Sequence, residues 1–476
     1  MTKIILEKSN KDQKGITLCD SVNLEYGIDS AFLREKSPVL PEITELEVMR
    51  HFKELSDKNF CIESGLYPLG SCTMKYNPKI SEVLNNLKEF SNLHPLVDDK
   101  FAQGSLEIMF NLQNQLKEIT GMDHFTLEPS AGAHGELCGM MIVKKYFEVT
   151  NQKERRKVIV PDSAHGTNPA SAAMCNFEII QVKSNEKGQV DLNDLDSLLD
   201  NTVAAIMMTN PNTLGIFEEN IDKIAKKAHE VGALMYYDGA NFNAIMGQTN
   251  PKIMGFDIVH LNLHKTFATP HGGGGPGSGP VGVVDKLKDF LPVPIIKFNG
   301  TSYYRDYNLP CSIGKVKSFF GNFSVLLKAY IYILMMGKNL KRVSEDAVLN
   351  ANYIKSALKP YYLLPYDVDS LHEFVLSGDI QKSYGVNTFK IAKKLIDMKF
   401  HPPTIYFPLI VHEAIMIEPT ETETKQRLDE FIEAMINISV KAKDSIDEFC
   451  NIPVNAPVKL VDETYAARHL DLKFKN

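Results

Sequence analysis

The chain has 476 residues and is too long to fold around a single small hydrophobic core, so we expect a large domain and a smaller one. A net charge of −7 argues against the basic surface of a nucleic-acid-binding protein. The seven cysteines are odd in number, scattered and never spaced CxxC. This pattern argues against a disulfide framework and a zinc site, and it fits a cytoplasmic protein.

Residues 1–60 are charged and irregular, and we expect them to form an arm that lies over another surface. The apolar patch in the first residues is too short for a signal peptide. The longest apolar run, near Tyr330 to Met336, is far shorter than a membrane span. The sequence therefore predicts neither secretion nor a membrane partner.

Two helices are expected before the first long strand. Apolar residues recur on one stripe of Leu106–Thr120, and Gly121 suits the position just after a helix end. A second helix is predicted to start near His134 and to run through Tyr146.

Short β-rich runs then alternate with helical patterns. An amphipathic helix around Ile221 to Val231, closed by Gly232, separates the second and third runs. This alternation predicts a mainly parallel sheet, in a large domain of residues 61–343, whose ligands bind where the strands end. The runs are Lys157–Pro161, Ala204–Thr209, Leu234–Asp238, Asp257–Asn262 and Val281–Val284.

The pattern changes from residue 344 onward. Thr404–Ile410 and Ala414–Glu418 are predicted to be adjacent strands, and a helix from about Thr424 to Lys443 follows them. We therefore expect a smaller α+β domain over residues 344–476.

A carboxylate and a lysine follow neighbouring predicted strands. Asp238 ends the third run, and Lys265 comes just after the fourth, next to His264. A pyridoxal phosphate cofactor requires this pair, because the lysine amine forms a Schiff base with its aldehyde and the carboxylate keeps its pyridine nitrogen protonated. A structural ion pair is the alternative for an arbitrary lysine and aspartate.

Two segments of small residues are candidates for contact with a ligand through their backbone N–H groups; for the glycine-rich one, a flexible linker is the alternative. The stretch after Lys265 contains Gly272–Gly275, Gly277 and Gly279 and lacks the GKS or GKT of a P-loop. Upstream, Ser130–Glu136 precedes a helix whose first N–H groups attract anions. We expect the cofactor phosphate there, with Ser130, Gly132, Ala133 and His134 as its contacts; an ordinary helix cap is the alternative.

Polar side chains also follow the first two strands. His165 lies in a dense polar cluster, where it could stack on a pyridine ring or simply face solvent. Asn212 and Thr213 offer amide and hydroxyl groups that could bond the ring oxygen.

These segments together resemble the P-protein of the glycine cleavage system, glycine dehydrogenase (decarboxylating), in the second subunit of its two-subunit form. The matching segments run through about four-fifths of the chain in one order. They include YPLGSCTMKYNP at Tyr67–Pro78, AGAHGEL at Ala131–Leu137, PDSAHGTNPASA at Pro161–Ala172, TNPNTLGIFEENI at Thr209–Ile221, YDGANFNA at Tyr237–Ala244, HLNLHKTFATPHGGGGPGSGP at His260–Pro280, NANYIKSAL at Asn350–Leu358 and HPPTIYFPLIVHEAIMIEPTETE at His401–Glu423.

The resemblance implies an aspartate-aminotransferase-like pyridoxal-phosphate fold, fold type I. Lys265 would be the Schiff-base lysine, Asp238 would hold the pyridine nitrogen, Ala240 would lie close to the ring and His165 would stack on it. The implied reaction releases CO2 from glycine and transfers the aminomethyl group to the lipoyl arm of the H-protein, an oxidoreduction because the lipoyl disulfide is reduced. A separate first subunit is implied, giving a heterotetramer of two of each.

Substrate contacts are expected from Ser71, Cys72 and Thr73, although a buried turn of small residues is an equal alternative. We expect no metal, because His412 and Glu413 are neighbours in a predicted strand and point to opposite faces. The other acidic side chains of this region, including Glu418, Glu421 and Glu423, are interpreted as interface or solvated groups.

Two rival functions remain open. Another pyridoxal-phosphate decarboxylase or an aminotransferase would share Lys265 and Asp238 but would clamp a substrate side-chain carboxylate with an arginine, and Arg305 is the only arginine near Lys265 in sequence. A non-catalytic scaffold would be expected to lack Lys265 or Asp238, and both are present.

Overall fold

The computed structural model of the chain describes residues 3–15, 27–36, 38–272, 277–456 and 458–472. They form two compact units, Met1–Ser64 with Val454–Asn476, and Gly65–Pro453. The first unit contains helices α1 (Glu45–Ser56) and α14 (Glu463–Arg468). The expectation of an irregular chain up to residue 60 is therefore wrong for α1, which starts where the Thr44 side chain accepts a hydrogen bond from the Glu47 N–H.

The second unit is built on a seven-stranded sheet in the order β1-β7-β6-β5-β4-β2-β3. β2, β3, β4, β5 and β6 pair in parallel, whereas β7 pairs antiparallel with β6 and with β1, which makes the sheet mainly parallel as predicted. The strands are β1 (His124–Thr126), β2 (Lys157–Pro161), β3 (Glu178–Val182), β4 (Val203–Met208), β5 (Leu234–Gly239), β6 (Ile258–Leu261) and β7 (Val281–Val283).

Five of these strands confirm the predicted runs to within one residue at either end. Every residue of β4 and β5 is buried, which explains why their sequences are continuous apolar runs. Sequence analysis missed β1 and β3. β1 has only three residues, and β3 is an edge strand with exposed Glu178 and Gln181.

Helices cover this sheet and link it to the rest of the unit. The predicted helix ends at Gly121 and Gly232 are confirmed, since both glycines have positive φ just after α4 and α8. The helices are α2 (Lys79–Asn85), α3 (Lys88–Ser91), α4 (Gln103–Thr120), α5 (Gly132–Val149), α6 (Thr167–Met174), α7 (Leu192–Leu198), α8 (Ile221–Glu230), α9 (Phe323–Met336), α10 (Leu340–Leu358), α11 (Asp379–Ser383), α12 (Thr388–Asp397) and α13 (Lys425–Asp444). Short 3₁₀ turns are Ile5–Lys8, Ser30–Phe32, Asp99–Phe101, Phe242–Ala244, Asp285–Phe290, Gly337–Asn339 and Ile446–Phe449, and β8 (Ile295–Phe298) pairs with β9 (Tyr303–Asp306) as a hairpin.

A three-stranded antiparallel sheet follows along the chain, in the order β10-β12-β11. Its strands are β10 (Phe374–Ser377), β11 (Thr404–Ile405) and β12 (Ala414–Ile417), and helix α13 confirms the predicted helix. The predicted strand Thr404–Ile410 is too long, because Tyr406 has a positive φ of 58° and Pro408 has no N–H to donate. His412 and Glu413 lie before β12, and Glu413 also has a positive φ, so their placement within a strand was wrong.

One helical stretch, Phe323–Leu358, is long and apolar enough to cross a membrane by length and composition alone. It comprises α9 and α10, and 44% of its most apolar window is buried inside the protein. A core helix meets the same criteria, and Val325, Leu326 and Ala329 of α9 belong to the main hydrophobic core.

Candidate active site

A cavity of about 250 Å³ opens where strands β5 and β6 end, the edge at which ligands were predicted to bind. It collects side chains from distant parts of the sequence. Nine of the predicted site residues line it: Ser71, Gly132, Ala133, His165, Thr213, Asp238, Ala240, His264 and Lys265.

Lys265 lies in the turn that follows β6, where its N–H donates to the Asn262 carbonyl at 3.0 Å. Its side chain extends into the cavity, and Nζ donates to the Ser71 carbonyl at 2.7 Å. Ser71 has a left-handed φ of 63°, a conformation that costs a non-glycine residue energy. The lysine amine is therefore held at one point of the cavity wall.

Asp238 is buried at the end of β5. Its carboxylate accepts hydrogen bonds from the Asn168 side-chain amide at 2.8 Å and from the Ala240 N–H at 2.9 Å, and His260 Nε2 lies 3.3 Å away. Burial alone would raise the pKa of Asp238, but His260 and these two donors oppose it and the pKa lies below its usual value. Burial lowers the pKa of His260, and the nearby Asp238 charge opposes that effect.

Glu136 is a cavity residue that sequence analysis missed. It accepts hydrogen bonds from Thr167 at 2.9 Å, Asn168 at 3.1 Å and Ser171 at 3.3 Å. Burial and the nearby Asp238 charge raise its pKa to about 7. The available signal was its spacing, because a residue four positions after Gly132 in a helix lies on the same face.

His165 lies in the loop between β2 and α6 and lines the cavity. Its Nδ1 is 2.9 Å from the Thr167 hydroxyl, and its ring meets Phe407 edge to face at 5.6 Å. Burial and the charge of Lys265 lower its pKa, which keeps the ring neutral near pH 7. A neutral, oriented imidazole suits contact with a flat ring.

The first turn of α5 supplies uncapped N–H groups to the cavity, because no side chain caps this helix at Ala131. A Cβ on Gly132 would lie 2.3 Å from Asn262 Oδ1, so only glycine allows this close approach. The side chains of Ser130 and His134 do not line the cavity, since they bond each other at 3.3 Å. That Ser130 and His134 contact the cofactor phosphate stays a prediction.

Asn212, which was predicted to bond the ring oxygen of the cofactor, has its side chain bonded within the protein. Its side-chain oxygen accepts the N–H groups of Leu214 and Ile216, and its amide donates to the Gly188 carbonyl at 2.7 Å. The side chain is thus used to fold its own loop and lies outside the cavity lining. Thr213 does line the cavity, but its hydroxyl donates to the Ser163 carbonyl.

The segment Ser71–Thr73 is fixed by two buried carboxylates. The Ser71 N–H donates to Glu373 at 2.8 Å, and the N–H groups of Cys72 and Thr73 both donate to Glu418 at 3.0 Å. The Thr73 hydroxyl donates to Glu418 as well, and only Ser71 of the three lines the cavity. The interpretation of Glu418 as an interface or solvated group is therefore wrong, because it is 1% exposed and binds this segment.

His264, His271 and Gly277 close another side of the cavity, while residues 273–276 of the glycine-rich stretch lie outside the described residues. Burial, with the Lys265 charge, lowers the pKa of His264 to about 3, so its ring is neutral. Its Nδ1 is buried and has no hydrogen-bond partner among the described residues. A buried acceptor without a partner is costly and suits a site that a ligand completes.

These groups fit pyridoxal 5′-phosphate. A lysine amine and an ionised carboxylate line the same cavity, as the aldehyde and the pyridine nitrogen of that cofactor require. The uncapped start of α5 offers N–H groups to a phosphate. Glu136, Asn262, Asn241 and Thr167 join the set as cavity residues found only in the structure.

Two family models match the sequence. Residues 25–302 match that of the glycine cleavage system P-protein, and residues 343–457 match that of the glycine dehydrogenase C-terminal domain. A "probable glycine dehydrogenase (decarboxylating) subunit 2" from Caldanaerobacter subterraneus subsp. tengcongensis is 56% identical over 471 residues, which is 98% of this chain and 97% of that relative. The protein of the same name from Staphylococcus epidermidis is 54% identical over 99% of this chain and 95% of its own length.

Solved structures share the fold at low sequence identity. The inhibitor-bound glycine decarboxylase (P-protein) of the glycine cleavage system superposes with a TM-score of 0.70 at 18% identity, covering 87% of this chain and 92% of that one. A NifS-like protein superposes with a TM-score of 0.60 at 15% identity, covering 79% of this chain and 99% of its own. The fold is that of the pyridoxal-phosphate enzymes of fold type I.

Proposed function

Because this chain belongs to the glycine cleavage system P-protein family, we propose that it is the second, catalytic subunit of a glycine dehydrogenase that decarboxylates glycine. The carrying observation is that Lys265 and Asp238 line one cavity at the ends of adjacent strands. The same cavity contains the start of α5, which suits a phosphate. A non-catalytic scaffold has no use for this arrangement.

Pyridoxal 5′-phosphate, when bound, supplies a ring that withdraws the electron pair left as the glycine carboxylate departs. Lys265 would hold it covalently, and Asp238 would pair with its ring nitrogen. Ala240 and the neutral His165 would contact its ring. The N–H groups of Gly132 and Ala133 would donate hydrogen bonds to its phosphate.

The work of the protein is orientation. Only the bond aligned with the ring's π-system is weakened, so the cavity walls must hold glycine with its carboxylate turned out of the ring plane. Ser71 lies on the wall nearest the Lys265 amine and is the proposed substrate contact. The Asp238 carboxylate would hold a proton on the ring nitrogen, because its lowered pKa keeps it ionised.

The absence of arginine from the described cavity lining favours glycine over a substrate with an acidic side chain. Arg305, the candidate that sequence analysis left open, is bound elsewhere. Its guanidinium pairs with Asp99 and donates to the carbonyls of Pro95 at 3.0 Å and Val97 at 2.6 Å. It is thereby unavailable as a substrate clamp for another decarboxylase or an aminotransferase.

Partners complete the reaction. The aminomethyl carbon would bond one sulfur of the lipoyl disulfide of an H-protein. The S–S bond would break and the second sulfur would become a thiol, so the disulfide is reduced and CO2 is the other product. We assign the first subunit of the enzyme as the stable partner, in a heterotetramer of two of each, and place the assembly in the cytoplasm. The six cysteines in the described residues are all free, which supports that placement.

Domain organisation is part of the proposal. We assign residues 1–60 to an arm, 61–343 to the large cofactor-binding domain and 344–476 to the small domain. The seven-stranded sheet between residues 124 and 283 and the three-stranded sheet between residues 374 and 417 support the last two assignments.

Borohydride reduction followed by peptide mapping tests the cofactor site. Protein loaded with pyridoxal phosphate should carry the reduced adduct on Lys265, and Lys265→Ala should carry none. Lys226→Ala is the matched control, since that side chain is 78% exposed and lies on α8. An adduct on another lysine in fully loaded protein would end the assignment.

Exchange of labelled CO2 into glycine tests the reaction. The purified chain with its first subunit and a lipoylated H-protein should catalyse the exchange, and omission of the H-protein should reduce it strongly. Turnover of another amino acid in place of glycine would favour the rival decarboxylase.

A further inference from the structure

The acceptor of the Lys265 amine is the main-chain carbonyl of Ser71, which lies in a strained segment. Ser71 and Thr73 have positive φ values of 63° and 45°, a region that non-glycine residues adopt at a cost of order 1–3 kcal/mol. Such a conformation persists only where surrounding contacts hold it. The position of the Ser71 carbonyl therefore depends on what binds the N–H groups on either side of it. Glu418 binds the Cys72 N–H, and a second buried acid binds the Ser71 N–H.

The group that binds this N–H is Glu373, which is 0% exposed and immediately precedes β10. One carboxyl oxygen accepts the Ser71 N–H at 2.8 Å, and the other accepts the Asn241 side-chain amide at 3.2 Å. Ser71 and Asn241 both line the cavity. Glu373 thus ties two parts of the cavity wall together from behind.

The main chain next to Glu373 is itself fixed. Gly215 has a positive φ of 77°, and a Cβ there would lie 1.8 Å from the Glu373 carbonyl oxygen. The Leu371 N–H donates to the Gly215 carbonyl at 2.7 Å. The main chain that carries the Glu373 carboxyl group is therefore fixed in position.

We propose that Glu373 is a positioning residue that, through the main chain of Ser71, sets the acceptor on which the Lys265 amine rests whenever that amine is free. It does so as a hydrogen-bond acceptor of fixed reach. This part of the inference rests on the proposed reaction, in which glycine displaces Lys265 in every turnover. The released amine then donates a hydrogen bond to the Ser71 carbonyl.

In this role Glu373 is needed as a hydrogen-bond acceptor. Burial and the neighbouring Glu418 charge hold the pKa of Glu373 well above its usual value. Glutamine has the same length and keeps one accepting oxygen for the Ser71 N–H, although it loses the one that accepts the Asn241 amide, so it should replace the acid in holding Ser71. Alanine removes the acceptor, and aspartate shortens the reach by one methylene.

Reductive methylation of the full-length chain without added cofactor measures the freedom of the Lys265 amine. Formaldehyde and cyanoborohydride label free amines, and peptide mass spectrometry follows each lysine. Glu373→Ala and Glu373→Asp should label Lys265 at least threefold faster than the native chain, whereas Glu373→Gln should label it at the native rate. Lys226, with its exposed side chain, is the internal standard, and Glu430→Gln on α13 is the matched surface control.

Each outcome decides the proposal. A native Lys265 rate in both Glu373→Ala and Glu373→Asp overturns it, and so does a Glu373→Gln rate as high as that of Glu373→Ala. If Glu373→Ala fails to fold, as judged by circular dichroism, the comparison of Glu373→Asp with Glu373→Gln decides alone.

A second measurement concerns turnover. In the assembled enzyme Glu373→Asp should lower kcat for glycine by more than it raises KM, and Glu373→Gln should restore kcat. A kcat in Glu373→Asp equal to that of the native enzyme contradicts the role in turnover, provided that the native enzyme catalyses CO2 exchange. Absence of exchange in the native enzyme contradicts the proposed function instead, and the labelling result stands independently.

Discussion

Asp238 keeps its charge in a buried setting because two N–H donors and His260 surround it. An asparagine would fit the same space but would carry no charge to hold a proton on a ring nitrogen. We expect Asp238→Asn to lower kcat by roughly 10²–10³-fold, as expected when one electrostatic partner of the developing charge is lost.

Steady-state CO2 exchange measures this loss, with cofactor content determined by absorbance in the same sample. Asp222→Asn is the matched control, because Asp222 is exposed in the first turn of α8. A native rate in Asp238→Asn at full cofactor occupancy would show that this carboxylate is not the partner of the ring nitrogen.

Glu128 is a second buried acid, and it gives the fold a pH dependence. It is 2% exposed, and its Oε2 has no hydrogen-bond partner among the described residues. Burial raises its pKa to about 8, against the opposing charges of Lys315 and Lys317. The folded chain therefore keeps a proton on Glu128 over a pH range in which the unfolded chain has released it.

This linkage predicts a change of stability with pH. Between the ordinary glutamate pKa and pH 8 the folded state binds more protons, so the free energy of unfolding should fall as pH rises, by up to about 1.4 kcal/mol per pH unit from this group. Glu128→Gln should lose that dependence and become more stable than the native chain at pH 8. Urea unfolding at pH 5.5 and at pH 8 compares the two, and equal changes in both chains would rule out a buried, protonated Glu128.

Helix α5 packs so closely on the sheet that its glycines are required by shape. A Cβ on Gly139 would lie 2.1 Å from the ring of Tyr236 on β5. The Tyr236 hydroxyl bonds His260 Nδ1 at 2.8 Å, and His260 Nε2 lies 3.3 Å from Asp238. A displacement of the tyrosine ring is therefore transmitted to the carboxylate in the cavity.

Gly139→Ala should lower the free energy of unfolding by about 1–3 kcal/mol, the usual cost of overpacking a core, and should reduce cofactor content at a fixed cofactor concentration. Gly104→Ala is the matched control, because Gly104 is an exposed position of α4 with no atom within 4 Å of its added Cβ. It should leave stability unchanged or raise it slightly. A Gly139→Ala chain as stable and as fully loaded as Gly104→Ala would contradict this account of the packing.

Elements that carry a clear periodic pattern could be predicted from sequence. Residues 234–237 form a continuous apolar run that ends at Asp238, and the predicted run ends within one residue of β5. The β11 region could not be predicted as well, since the left-handed φ of Tyr406 has no signature in an apolar run. Turn chemistry overrode β propensity there.

The cavity could be predicted where one segment supplies both position and chemistry. Lys265, Asp238 and His165 come at strand ends, so the parallel sheet alone brings them together. Glu373 and Glu418 could not be found this way, because they are 302 and 346 positions away from Ser71 and Cys72, to which they are bonded. The hydrogen bonds of the Asn212 side chain within its own loop could not be predicted, because no sequence pattern distinguishes that use from ligand binding.

At the scale of the whole molecule the cavity is a meeting point of remote chain segments. Its lining includes residues from Ser71, the start of α5, the loop before α6, the ends of β5 and β6, and Gly277. A ligand that contacts all of them binds only the folded chain. Such a ligand stabilises the fold by mass action, by about 2.7 kcal/mol when its free concentration is 100 times its dissociation constant.

Pyridoxal phosphate should therefore raise the unfolding temperature of the full-length chain in differential scanning calorimetry. Part of that shift should come from the covalent bond to Lys265, and pyridoxine phosphate, which lacks the aldehyde, separates this part from the rest. In the native chain pyridoxal phosphate should give the larger shift of the two ligands, because only it can bond the amine. In Lys265→Ala the two shifts should be equal, since the phosphate and ring contacts remain while the amine is gone. If pyridoxal phosphate still gave the larger shift in Lys265→Ala, another residue of the cavity would hold the aldehyde. Lys265 would then not be the residue that binds the cofactor covalently.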